Sequence, residues 1–490
     1  MNDNLIVFLI FLMYIGGLFY IIFSNSKAQD FEDFAVGGRS FSWPFIAMTI
    51  IGTSFAGSLM TGQTQFGHDV GMVTCYFVAS CIMGLYLFAI ICGPLWKVGK
   101  RYGVKTMGEF MELRYGSKRL RIFIGSALLL VEFPWIVTEL LASGYAVQIL
   151  TNNAIPFNAG MTIVAIIFTV YVLFAGMRAV IFADYYQGWI FILSGLTLFI
   201  TAMYVHFGSW SNMWMETRNF NEELLSVPGN WWGEVPGPMV YTSLILIAAF
   251  GAYMYPSLFA RIFAASSPKE LKASLNVTPA FTILFAIAVF LVSVGTSSLT
   301  QYGAEDSAFA FLEFVSSLGP VATALVAIVI LAGSLSMMDS MLGTWAIVIT
   351  NDIITPLRPN ISSADQMKIA RIFTVIVACL GLAVAMMELP MIIQIVTRVY
   401  QAIVQAFPLV IFGLFWKKGN LYGAWAGLLT GITIVIYTQF TMPDYIPSLG
   451  GLQGGVLALI MNFIVYIIFS FVSEKGRGSD ELFATYKDQF

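Results

Sequence analysis

Runs of about twenty predominantly apolar residues recur from one end of this chain to the other, with short polar connections between them. A run of that length is what a helix needs to cross the hydrocarbon layer of a membrane. On this criterion the sequence predicts thirteen crossings, with cores near 4–23, 42–66, 72–98, 121–151, 157–177, 182–206, 237–264, 272–300, 318–350, 366–388, 390–414, 420–442 and 450–473. Composition agrees. Hydrophobic residues make up 58% of the chain and charged residues 10%, where a soluble domain carries roughly 25% charge. The expectation is an all-α polytopic membrane protein whose first contact is the lipid bilayer.

Other classes fit poorly. The four cysteines, Cys75, Cys81, Cys92 and Cys379, all lie in apolar segments without paired spacing, which indicates neither a disulfide framework nor a zinc site. Two histidines, His68 and His206, are too few for a haem or histidine-metal centre. No cofactor, no nucleic-acid partner, no nucleophile–base pair and no soluble catalytic domain is expected. The start, MNDNLIVF, lacks a basic stretch and a small-residue cleavage site, so Leu5 to Ile22 is expected as a retained helix.

Lysine and arginine give the orientation. With thirteen crossings and the N-terminus outside, the internal connections and adjoining helix ends hold 22 of the 24 basic residues; the other two are Arg218 and Arg398. The longest connection, 206–236, carries Trp210, Trp214, Trp231 and Trp232 and is placed outside, where an interfacial aromatic belt is the expected role. The C-terminus is placed inside.

One apolar segment contains a polar cluster. Leu331 to Asp352 reads LAGSLSMMDSMLGTWAIVITND, and within it Ser336, Asp339 and Ser340 fall at i, i+3 and i+4 on one helical face. A carboxylate at that depth is costly and marks a candidate site. Hard oxygen ligands suit Na+ or a proton. Two other segments look broken. One carries Gly52, Gly57 and Gly62; the other carries Gly251 and Pro256. Glycine permits unwound backbone and proline removes a donor. Each broken segment opens a run of five, which is the sequence pattern of an inverted repeat with a midplane binding site.

Five stretches resemble motifs of the sodium:solute symporter family, whose members transport sugars, proline, pantothenate, sialic acid and monocarboxylates. These are FAVGGR at Phe34 to Arg39, GMRAVIFADYYQG at Gly176 to Gly188, GAYMYPSLFARIFAASSPKE at Gly251 to Glu270, SMMDS at Ser336 to Ser340, and GLFWKKGNLYGAWAG at Gly413 to Gly427. They occur in the family's order over nearly the whole chain. The resemblance implies a LeuT-like 5+5 inverted repeat. It divides the chain into an extra helix and internal loop (1–41), repeat one (42–206), an external loop (207–236), repeat two (237–414), two further helices (415–473) and a cytoplasmic tail (474–490).

The resemblance also implies sites. A first sodium site would use carbonyls of Gly52 and Phe55, the carbonyl of Gly333, and the hydroxyl of Ser336. The family's second hydroxyl is replaced here by Met337, a poor ligand for hard Na+. A second site, for sodium or a proton, would use Asp184, Ser336, Asp339 and Ser340. Candidate substrate contacts are Ser54, Ser58, Leu59, Gln63 and Gln65 at the first break, and Phe250, Tyr253 and Tyr255 at the second. Glu132, Trp135 and Glu139 add to these from the third core helix, and Arg398 and Gln401 from the tenth. Arg398 would lie about 12 Å deep. It would either bridge to Glu139, the preferred expectation, or receive a carboxylate substrate. Unpaired, Glu132 or Glu139 would favour a cationic or hydroxylated solute. The expected function is Na+-coupled symport of a small polar organic solute (sugar, amino acid, carboxylate or vitamin) in a plasma membrane, expected to be the bacterial inner membrane. The alternatives left open are proton coupling, uncoupled transport, or solute sensing.

Overall fold

Apolar residues around the whole circumference of a helix place that helix at the centre of a bundle, and the segment with the polar cluster has this character. In the computed structural model, which describes residues 3–26, 31–174, 176–228, 237–303, 307–387, 392–442 and 445–487, it is buried without interruption from Val326 to Leu342. Trp231 and Trp232 lie outside the described residues.

The membrane-type helices are, in order, α1 (Asp3–Asn25), α2 (Trp43–Ser54), α3 (Gly57–Val70), α4 (Tyr76–Tyr102), α5 (Lys118–Leu150), α6 (Phe157–Phe174), α7 (Met177–Phe207), α8 (Gly237–Gly251), α9 (Pro256–Ala264), α10 (Pro268–Thr296), α11 (Pro320–Val348), α12 (Ser363–Ala385), α13 (Ile392–Ile403), α14 (Phe407–Phe415), α15 (Leu421–Thr441) and α16 (Gly454–Ser470). Nine helical runs among the described residues are long and apolar enough to cross a membrane, or ten when α8 and α9, bent by 43°, count as one broken span. Thirteen were expected. The difference is one of length. α2 stops after 12 residues at a break, α16 has 17, and the apolar stretch within α6 spans Phe157–Val170. α3 continues through a short 3-10 turn into α4, so two expected segments form one run. The connection after α7 also holds a helix, Trp210–Phe220, whose Trp210 and Trp214 pack partly buried against the core.

Both expected breaks are present. α2 ends at Ser54, Phe55 leaves helical geometry (φ −112°, ψ 73°), and Ala56 is extended (φ −65°, ψ 153°) before α3 begins. The cause is a close approach to α11. A Cβ on Gly57 would lie 2.4 Å from the Ile330 carbonyl oxygen, and one on Gly333 would lie 3.0 Å from the Phe55 carbonyl oxygen. Glycine on both sides lets the backbones meet. The second break ends α8 at Gly251 and restarts at Pro256, where a first-turn proline loses no needed donor.

The ends of the broken helices away from the cavity are tied to each other. Phe41, just before α2, donates to the Ala264 carbonyl at the end of α9 (3.3 Å), and Ser266 donates back to Phe41 (3.0 Å). Arg39 adds bonds to the carbonyls of Phe263 (3.3 Å) and Val104 (3.1 Å).

Candidate functional site

A helix that stops leaves its last carbonyls without partners. At the first break the last bond of α2 runs from the Phe55 N–H to the Ile51 carbonyl (2.9 Å), and the Phe55 carbonyl approaches Gly333 of α11. There a Cβ on Gly52 would lie 2.5 Å from the Ser336 hydroxyl and 3.8 Å from an Asp184 carboxylate oxygen. Gly52, Phe55, Gly333 and Ser336 therefore do converge. Asp184 joins them, because the Ser336 hydroxyl donates to its carboxylate. Met337 turns the other way and lines a cavity.

The second expected ion site is reorganised by a residue that the reading of the sequence noticed only as part of a motif. Arg261, on α9, is fully buried. Its guanidinium donates to Thr49 (3.1 Å), to the Ser257 carbonyl (3.2 Å), to Ser340, and to Asp184 (3.4 Å). Thr49 also donates to Asp184. Asp184 and Ser336 meet directly, but a guanidinium stands between Asp184 and Ser340. Asp339 is fully buried and, with Ser340 and Arg261, lines a separate small cavity beside the start of α7. The buried Asp184 carboxylate needs a countercharge, and the chain supplies one itself. The signal was an arginine inside an apolar run.

The cavity beside Met337 lies between the two breaks. Thr53 and Ser54 from α2, Leu59 from α3, Trp135 from α5, Tyr253 and Tyr255 from the second break, and Tyr400 from α13 line about 30 Å³ of space, room for about two waters. Trp135 donates to the Tyr255 hydroxyl (2.8 Å). The rings of Trp135, Tyr255 and Tyr400 pack with centroids 5.8 to 6.2 Å apart. The site is closed around its own aromatic side chains.

Of the expected substrate contacts, Ser54, Leu59, Trp135, Tyr253 and Tyr255 meet in this cavity. The others do not line it. Gln63 bonds Tyr76 (2.7 Å) and Thr74 (3.0 Å), and Gln65 bonds Ser307 (3.2 Å). Phe250 packs on Phe407, and Gln401 accepts from the Gly455 N–H (2.8 Å). Ser58 gives its backbone N–H (3.0 Å) and its hydroxyl to the Glu139 carboxylate. Glu132 accepts from the Trp345 indole (2.7 Å). The bridge expected between Arg398 and Glu139 is not made. Glu139 is buried against the start of α3, whereas Arg398 is exposed in a groove with Pro134, Ile395 and Gln439. Tyr400 was missed, though it lies on the apolar stripe of α13.

The model of the sodium:solute symporter family matches residues 34–431. The high-affinity proline transporter of Bacillus subtilis (strain 168) is 24% identical over 91% of this chain and 94% of that protein. The sodium/pantothenate symporter of Escherichia coli (strain K12) is 23% identical over 92% of each. Among solved structures, a Na+-coupled sialic acid symporter in a substrate-bound outward-open state superposes with a TM-score of 0.81 at 16% identity, covering 96% of this chain and 98% of that one.

Proposed function

The chain belongs to the sodium:solute symporter family, a family of transporters and not of enzymes, and from that premise we propose that it carries a small polar organic solute across the cell membrane together with Na+. The observation that carries this reading is the joining of two places by one helix. α11 presents Ser336 to the carbonyls of the first break and Asp184, and the next residue, Met337, to the cavity between the breaks. An ion at the first place and a solute at the second would both press on α11. Differential affinity of that kind between two states is what coupling requires.

In this proposal Na+ binds where Gly52, Phe55, Gly333 and Ser336 converge. Asp184 supplies the negative charge that Met337 cannot. The solute binds against Trp135, Tyr253 and Tyr255, and alternating access opens the cavity to either side. The finer topology belongs to the same proposal: thirteen crossings, an outside N-terminus, an inside C-terminus, two inverted repeats at 42–206 and 237–414, and a bacterial inner membrane as the location. Coupling by protons is a second reading: the Arg261 guanidinium occupies the place between Asp184 and Ser340 where a second Na+ would sit, which leaves the buried Asp339 to carry a proton.

The test is uptake into proteoliposomes under inward NaCl or KCl gradients at fixed pH. Sodium-dependent concentrative uptake supports the first reading. Uptake driven by a proton gradient alone, without sodium, replaces it with the second.

A further inference from the structure

The half-helix start that faces the first break already holds an anion. Glu139 places its carboxylate at the N-terminus of α3 and takes the Ser58 N–H and hydroxyl. The positive end of a helix dipole attracts negative charge; here the protein fills that place with its own side chain. A second carboxylate, Glu132, lies one turn before Trp135 on the same helix. It too is fully buried, and its second oxygen has no hydrogen-bond partner among the described residues.

Two other helix ends that line the cavity have the opposite polarity. Thr53 and Ser54 close α2, and Ala248 and Ala252 lie at the end of α8. Both are C-terminal ends, whose free carbonyls carry partial negative charge. The walls are the ring faces and edges of Trp135, Tyr253, Tyr255 and Tyr400, which attract cations through their quadrupoles. Among the described residues no lysine or arginine lines the cavity. Arg261 is engaged by Asp184, and Arg398 lies in the outer groove.

The start of α9 at Tyr255 also meets the cavity, but Pro256 removes its first N–H, and the start of α3 is taken by Glu139. The two C-terminal ends, the aromatic walls and the buried Glu132 and Glu139 therefore favour positive charge. We propose that the solute is a small organic cation, an amine or quaternary ammonium, and that carboxylates are rejected because Glu139 already occupies the anion position at α3. This rests on the symport reading above and narrows its substrate class.

The experiment is a thermal-shift titration of the purified full chain in matched NaCl and KCl. The probes are a triad of similar shape, choline, its neutral carbon isostere neohexanol and the carboxylate 3,3-dimethylbutanoate, and a pair, pyrrolidine and the zwitterion proline, which adds a carboxylate to the same ring. In NaCl the ammonium members are expected to stabilise at concentrations at least about tenfold below those of their carboxylate partners. Glu139→Gln keeps an acceptor for Ser58 and removes the charge. It is expected to narrow that preference about tenfold without lowering the melting temperature of the free protein. If that variant does not fold, Glu132→Gln, whose amide oxygen still accepts from Trp345, makes the same comparison. Carboxylates binding as well as ammonium compounds, an unchanged preference in the variant, or no ammonium compound binding would each overturn the proposal. An ammonium ligand that binds equally in both salts leaves the cation class standing and counts against sodium coupling instead.

Discussion

Without the guanidinium of Arg261, Asp184 would stay buried with only the hydroxyls of Thr49 and Ser336 against its charge. Breaking a buried pair from one side typically costs about 3–5 kcal/mol. Arg261→Met is therefore expected to lower stability on that scale, and adding Asp184→Asn to recover most of it, as measured by denaturant unfolding in detergent. Additive losses in the double variant would mean that the two charges are not coupled. Ser336→Ala is expected to weaken apparent sodium affinity in transport assays, because it removes the hard hydroxyl ligand that faces Gly52 and Asp184. The same affinity in both forms would remove the first break from the ion pathway. At this scale the sequence was legible where chemistry alone decides, as for Ser336 and Asp184. It was illegible where partners decide. That Arg261 faces Ser340 depends on how α9 docks beside Asp184 and α11, which residue identity does not encode. Arg398 was misjudged for a reason that was legible. Ile392, Ile393, Val396, Val399, Tyr400 and Ile403 form the buried stripe of α13, and Arg398 falls on its far side.

The two breaks differ in how their sequences produce them. The second carries its own stop and start signals, Gly251 and Pro256. The first has no proline; its signal is Gly57 opposite Gly333, two glycines far apart in sequence, where α11 pushes into the backbone. Gly57→Ala is expected to destabilise by about 1–3 kcal/mol, since overpacking of a tight contact costs that much. The added methyl meets the rigid Ile330 carbonyl as well as the Ser334 side chain. Gly343, on the same helix but with open space beside it, is the control and should accept alanine with little change. Equal melting temperatures for both variants would show that the break does not depend on this contact. Apolar runs revealed which segments are helical, but not where a helix divides or joins its neighbour. The count therefore differs where α3 runs into α4 and where α2 stops short.

Across the whole molecule, a charged cluster at the far end of α11 from Pro320 joins the ends of several helices. Asp352 accepts from Thr106 (2.7 Å) and Arg121 (3.1 Å), and Arg121 also reaches Glu112 (2.8 Å) and the Asn351 carbonyl (2.6 Å). Asp352 lies in a π-helical turn at Ile349–Ile354, a distortion common at functional positions. Asp352→Asn is expected to loosen this end and expose the cavity from that side. Cys81, which lines the cavity, reports on it in a background with Cys75, Cys92 and Cys379 replaced. Its reaction with an impermeant thiol reagent in inside-out vesicles should speed up, and an unchanged rate would count against a gate there. The short backbone clasp between Phe41 and Ala264–Ser266 carries a further implication. It ties α2 to α9 as a lever with two arms, one reaching toward the proposed ion site and the other toward the proposed solute cavity. A covalent link from position 41 to position 265 should leave transport running, because the arms would swing in tandem. The message from ion to solute would then be mechanical, passed through a hinge shared by two half-helices that lie far apart along the chain.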